Sequence, residues 1–276
     1  MSILMTTLAL LAIPIGVLLG LAAGVIGLTA WPILVPLLLV FGGSPLHEAL
    51  LSSLLVDLMI AIVLSIFYIR NKEVEVDSLY GAKLGGVAGV VALITAILVF
   101  HILDQYSGLF EGGSSIVTLV FGGLFIIQAI RMDDSTGVRD ERPSQRQLSD
   151  RKKDIIAYGF CIFQGFLTGL IAIGGAMNIV LVLMFILGYP TLRAVGTAMV
   201  ATTVMLSMTV IAFLILLQFS VSTLPIVVLY VLIGAISSYL AVTRIQNISE
   251  RKLRFTIGIV ILTAAIFATA QVYFLV

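Results

Sequence analysis

Long apolar stretches, punctuated by glycine, proline or clustered charge, dictate what this chain can fold into. A bilayer core about 30 Å thick takes about 20 helical residues to cross. Stretches of that order follow one another along all 276 residues. Segment A runs from Ile3 to Ile26, B from Ala30 to Phe41, C from Leu46 to Ile69, D from Leu79 to Ile102 and E from Ser115 to Ile130. The order then returns, with A′ from Ile155 to Ile173, B′ from Ala176 to Leu187, C′ from Leu192 to Leu217, D′ from Leu224 to Ile245 and E′ from Leu253 to Leu275. Segments B and B′, a dozen residues or ~18 Å as helix, are too short to cross alone. The expected fold is an all-α polytopic membrane protein of ten hydrophobic segments, with broken or re-entrant helices at the short ones.

The charges agree with that reading. Only 11% of the residues are charged, against about 25% in a soluble domain, and twelve of them crowd between Arg131 and Lys153. This region divides the chain into a first membrane repeat over 1–131, a charged linker over 132–154 and a second repeat over 155–276. No basic surface for nucleic acid exists, and Cys161 is the only cysteine, which excludes a disulfide framework. With no Lys or Arg before the first apolar run, that run reads as a retained span rather than a cleaved signal.

A shift of 145 positions, from Gly20 to Gly165, also lays Gly24 on Gly169, Gly43 on Gly188, Pro45 on Pro190 and Ala49 on Ala194 without a gap. Glycine and proline matches carry weight because those residues set backbone breaks. Lys and Arg near spans stay on the cytoplasmic side. If ten segments reverse direction in turn, all fifteen basic residues fall on one face, and the other receives Glu48, Asp104 and Glu111. The expected protein is therefore multi-pass in the cell membrane, with both termini extracellular and the 131–154 loop cytoplasmic. Five segments per half make the halves inverted repeats, a plan used by many secondary transporters. Charge does not distinguish crossing A and B segments from a re-entrant pair.

The A to B junction reads Gly24-Val25-Ile26-Gly27-Leu28-Thr29-Ala30-Trp31-Pro32, and the A′ to B′ junction Gly169-Leu170-Ile171-Ala172-Ile173-Gly174-Gly175-Ala176-Met177-Asn178. Non-helical backbone at membrane depth is tolerated where protein buries it or where it lines a cavity. There the first amides of the B helices offer an anion site; close helix packing by small residues is the alternative. Gly24, Gly27, Thr29, Trp31, Gly174, Gly175 and Asn178 are the candidate binding residues of the breaks. Ser52, Ser53, Thr197 and Thr202 are those of the C and C′ helices, although each hydroxyl could equally bond back to its own helix. Asp57 sits mid-way along C, where an Asp costs about 2.5 to 3.5 kcal/mol on insertion scales. It is either a neutral acid hydrogen-bonded between helices or a proton-coupling site. Gln128, Gln164 and Asn178 read as interhelical hydrogen-bonding amides. His47 and His101 lie far apart, without acidic or thiol partners at metal-ligand spacing, so no metal or cofactor is expected. Arg193 reads as a topology anchor at the cytoplasmic side or an attractor for anions.

Taken together, Gly165 to Gly175, Leu187-Gly188-Tyr189-Pro190 and Arg193-Ala194-Val195-Gly196-Thr197-Ala198 resemble the signature of the sulfite exporter TauE/SafE family, also called toluenesulfonate uptake permeases. The first half carries a weaker version in Gly20 to Gly27, Val35-Pro36, Ser44-Pro45 and Glu48-Ala49 to Ser53. The resemblance covers nearly the whole chain. It implies transport, commonly export, of small sulfur-containing anions such as sulfite, sulfoacetate and other organosulfonates, driven by an ion gradient. Thr29, Ala30 and Trp31 stand where the family usually has glycine, and Leu51-Ser52-Ser53 replaces a Gly-Thr-Ser run.

The expected function is thus secondary-active transport of an organosulfonate or sulfite, bound at mid-membrane and moved by alternating access. The expected partners are that anion and the lipid bilayer. The coupling ion, H+ or Na+, and a homo-oligomeric state stay open. An anion channel, or a degenerate scaffold or sensor, is the alternative. A membrane enzyme is disfavoured because no Ser and His pair, metal cluster or phosphate loop occurs.

Overall fold

A computed structural model of the chain describes residues 3–27, 29–40, 44–71, 74–103, 149–172, 174–216 and 224–244, with positions 123, 127, 259 and 262. Apart from those four positions, segments E and E′ lie outside the described residues, as do Asp104, Glu111, Gln128, the side chain of His101 and most of the linker. Within them the chain is all helical: α1 (Ile3–Ile26), α2 (Trp31–Val40), α3 (Leu46–Arg70), α4 (Ser78–Leu103), α5 (Asp150–Ile171), α6 (Met177–Phe185), α7 (Thr191–Leu216) and α8 (Leu224–Arg244). The expected segments agree with these bounds to within one or two residues, apart from the start of α5. That helix begins at Asp150, inside the charged linker, because Arg151 and Lys152 point outward and are exposed there. Four helices among the described residues are long and apolar enough to cross a membrane, at His47–Arg70, Ser78–Leu98, Leu192–Leu216 and Leu224–Thr243.

Helices α3 and α7 form the centre. They pack on each other; α3 also carries α2 and α8, and α7 carries α6 and α4. The first helix of each half packs on the fourth helix of the other: α1 lies along α8, and α5 along α4. The halves are therefore interlocked rather than side by side. Each such crossing is made by the glycines that the 145-position shift aligns. A Cβ on Gly24 would fall 2.8 Å from Ser238 O, and one on Gly169 2.7 Å from Thr95 Cβ. Gly20 and Gly165 likewise lie against backbone of α8 and α4. Without side chains at these points the backbones approach closely enough for dense van der Waals contact, the main attraction left between helices in lipid.

Helix α4 shows how one sequence supplies three faces. Gly81, Gly85 and Gly89 meet α7, Ala88 and Ala92 are fully buried at the α5 crossing, and Val90, Ile94, Ile97 and Leu98 are exposed. Those apolar side chains, with Val228, Leu232 and Ile236 of α8, point outward at one-turn intervals. This is the pattern of a lipid-facing surface on a multi-pass membrane protein.

A neighbouring pair of glycines tests the packing. A Cβ on Gly85 would fall 2.8 Å from Ala201 Cα, whereas one on Gly86 meets nothing within 4 Å. Gly85→Ala is expected to lower stability by about 1 to 3 kcal/mol through overpacking. Gly86→Ala should be neutral or gain up to about 1 kcal/mol, since alanine is the better helix former. Thermal unfolding of the two purified variants in the same detergent checks this.

Candidate functional site

The site grows out of the two helix breaks. Helix α1 ends as Gly27 turns into the left-handed region at φ 72°, its N–H donating to Ala23 O at 2.8 Å. Helix α5 ends in the same way, with Ala172 at φ 58° and its N–H on Thr168 O at 2.9 Å. Gly27 and Ala172, and Ala23 and Thr168, are each 145 positions apart, so aligned residues make the same terminating bond. Left-handed backbone is routine for glycine and costs an alanine about 1–2 kcal/mol.

The two breaks touch. Met177, the first residue of α6, donates its backbone N–H to Gly27 O at 3.0 Å. A Cβ on Gly27 would stand 2.8 Å from Ala176 Cβ, and one on Gly175 would stand 2.9 Å from Thr29 Cβ and 3.0 Å from Thr29 N. The contact thus depends on glycine from both halves.

Asp57 of α3 closes over the first break. The Thr29 hydroxyl donates to Asp57 Oδ2, and the backbone N–H of Ala30 donates to Oδ1 at 2.5 Å. Thr29 Oγ1 also accepts the N–H of Trp31 at 3.3 Å. The carboxyl therefore occupies the N-terminal end of α2, where free amides and the helix dipole favour negative charge. Among the described residues Asp57 is the only buried side chain of Asp, Glu, Lys or Arg.

Beside it lies a narrow cleft, little larger than a water molecule, whose walls include Gly27, Asp57, Gly174, Gly175, Met199 and Thr202. Asp57 and Thr202 are again 145 positions apart. The Thr202 hydroxyl is 2% exposed as a residue and has no hydrogen-bond partner among the described residues. Trp31 Nε1, Ser53 Oγ and Asn178 Oδ1 are buried and unpartnered as well. Buried polar atoms normally find partners, so these groups are the unused hydrogen-bonding capacity of the centre.

The residues singled out in the sequence thus separate. Gly27, Gly174, Gly175, Asp57 and Thr202 share the cleft, and Thr29 holds Asp57 from behind. Trp31 is buried at the start of α2, and Ser53 lies one turn before Asp57 on α3. Gly24 lies in the α1 and α8 crossing, its carbonyl accepting from Tyr68 OH at 3.3 Å. Ser52 donates to Glu48 O of its own helix at 2.7 Å. Asn178 Nδ2 donates to Gln164 Oε1 at 2.7 Å, an amide pair joining α6 to α5. Thr197 accepts the N–H of Asp77 at 3.1 Å, away from the cleft lining. Ala23, Ile60, Ala61, Ala176 and Met199 complete the cleft and carried no signal, because small and apolar residues are everywhere in this chain. Among the described residues no group of three His, Cys, Asp or Glu could hold a metal.

A second polar cluster joins the loop before α4 to the loop before α7. Tyr189 OH donates to Asp77 Oδ2 at 3.3 Å, the Arg193 guanidinium stacks 4.4 Å from the Tyr189 ring centroid, and Arg193 pairs with exposed Glu75 at 3.8 Å. Burial and the neighbouring Asp77 carboxylate push the Tyr189 phenol up, against the opposing pull of Arg193. The phenol therefore stays a donor at neutral pH.

Interrupted helices that meet in an all-helical, multi-pass chain, with the Asp57 carboxyl and the Thr202 hydroxyl at a common cleft, are an arrangement found among membrane transport proteins. The sulfite exporter TauE/SafE family matches residues 11–268, nearly the whole chain, and the protein belongs to that family. No curated protein matches it.

The two helix ends give opposite predictions. Ala172→Gly should stabilise the protein by up to about 1 kcal/mol by relieving left-handed strain. Gly27→Ala should destabilise it by more than that, because it meets both the strain and Ala176. Thermal unfolding of the two variants against the parent is the check.

Proposed function

We propose that the protein is a secondary-active transporter of small sulfur-containing anions, organosulfonates or sulfite, working in the export sense of its family. The carrying observation is the meeting of both helix breaks with Asp57 and Thr202 at one narrow cleft. Gly27, Gly174 and Gly175 let backbone approach the anion, and the Thr202 hydroxyl in the cleft wall supplies a donor. Asp57 is the proton-coupling group. Among the described residues no Lys or Arg lines the cleft, which suits a ligand that must be released again.

The two halves act as inverted repeats of five segments that rock about the α3 and α7 contact. Equivalent terminating bonds 145 positions apart, and the exchange of first and fourth helices between halves, support this reading. On the positive-inside pattern, the Arg193, Tyr189 and Asp77 cluster lies on the cytoplasmic face and fastens the halves there, while both termini are extracellular. A carrier is favoured over a channel because Gly27 and Ala176 are in contact and the cleft is too small for an organic anion. The site must therefore open before an organic anion can enter, and opening to one side at a time completes the carrier reading.

Uptake and counterflow of sulfite, sulfoacetate and a panel of aryl and alkyl sulfonates into proteoliposomes test the reading. Saturable flux with counterflow is expected. Thr202→Val should weaken half-saturation about tenfold, in line with about 1.5 kcal/mol for a hydrogen bond to a charged group. Absence of saturable flux or binding for every member of the panel would overturn the proposal.

A further inference from the structure

Asp57 is bound as an anionic ligand would be. Its two carboxyl oxygens take the Thr29 hydroxyl and the Ala30 N–H at the start of α2, a helix of 10 residues. At the other break, the first amide of α6 is taken by Gly27 O. A donor left over is the Thr202 hydroxyl, 98% buried and unpartnered among the described residues, in the wall of the same cleft as Asp57. A site for one anion thus has its seat filled by the protein's own carboxylate, and a spare donor beside it.

Resting on the transport reading above, we infer that the start of α2 is the seat of the substrate anion, that the Asp57 carboxylate competes for it, and that the anion binds together with one proton delivered to Asp57.

The reasoning is electrostatic. Two negative charges in one cleft of low polarity repel, and the usual resolution is that one of them is protonated. No cation among the described residues lines the cleft to share the load. Among the described residues, α1, α2, α3, α7 and α8 bring no Lys, Arg or His to the cleft, and the other titratable groups buried in them are the phenols of Tyr68 and Tyr230. Protonation of Asp57 weakens its hold on the Ala30 N–H, because the neutral acid is the poorer acceptor, and the acid then has an O–H to donate. That amide and the Thr29 and Thr202 hydroxyls become available to a sulfonate or sulfite oxygen. The proton comes from water on whichever side the cleft is open and leaves on the other side with the anion. Movement is therefore co-transport of one proton per anion, electroneutral for a monoanion. Its direction follows the product of the anion and proton gradients, so net export requires an anion gradient that outweighs an inward proton gradient.

By linkage, binding must tighten as pH falls and must take up protons. The probes are ethanesulfonate and benzenesulfonate, which stay ionised throughout the pH range used, so every proton taken up belongs to the protein. Titration calorimetry of the purified full-length protein, in buffers of different ionisation enthalpy, should give close to one proton bound per anion above the pH at which Asp57 ionises. The dissociation constant should rise about tenfold per pH unit there. Asp57→Asn, which carries no charge, should remove both the proton uptake and the pH dependence and should bind at alkaline pH more tightly than the parent. Saturable binding by the parent with no proton uptake and a flat pH profile would overturn the inference while leaving the transport reading intact. Loss of the transport reading shows differently, as no binding of these probes or of sulfite at any pH. The proton count on the parent protein decides the matter even if the variant does not fold.

Discussion

The contact between the two interrupted helices sets the terms for the rest of the structure. Backbone amides and carbonyls buried away from water have no solvent to turn to, so a helix that stops inside the protein must pass its orphaned groups to another element. Here the α1 break hands a carbonyl, Gly27 O, to the first amide of α6, and Asp57 takes the first amide at the α2 break. The glycines that permit this, Gly27 and Gly175, also hold the two loops against each other. Around that junction α3 and α7 cross, and the outer helices exchange partners between the halves, so neither half has a complete interior alone.

That economy explains why an acid survives at the centre of a spanning helix. Asp57 is expensive by position, yet it meets two donors that would themselves be costly to leave unsatisfied. Removing the carboxylate strands the donors, and removing the donors strands the carboxylate. Thr202, its counterpart 145 positions on, is placed at the same cleft with an unbonded hydroxyl. Asp57 and Thr202 thus bring different chemistry, a carboxyl and a hydroxyl, to one cleft from aligned positions of the sequence.

Much of this was legible beforehand. Helix extents followed from apolar length, and the breaks from Gly27, Pro32, Gly174 and Gly175, because hydrocarbon thickness and backbone geometry act locally. The isolated Asp57 stood out for the same reason, one charge in a field of apolar residues. The roles of individual polar residues were not legible. Ser52 and Ser53 are neighbours of one type, and only their angular positions on α3 decide that Ser52 bonds its own helix while Ser53 is left unpartnered. Gly20 and Gly24 look like the glycines of the breaks but serve a helix crossing.

By itself, then, the sequence determined that this protein is a multi-pass helical membrane protein, where its helices are interrupted, and which buried charge requires an explanation. Period, length and the cost of charge in hydrocarbon depend on near neighbours along the chain, and they can be read from it. Only the tertiary structure decided that α1 would seek α8, that the two breaks would touch, and that Asp57 would fill the start of α2 with Thr202 beside it. Those pairings join residues 27 to 221 positions apart, and in a chain so uniformly apolar, hydrophobic pattern does not distinguish one partner from another. Close fit of small residues and the matching of single polar groups do, and both exist only once the helices have met.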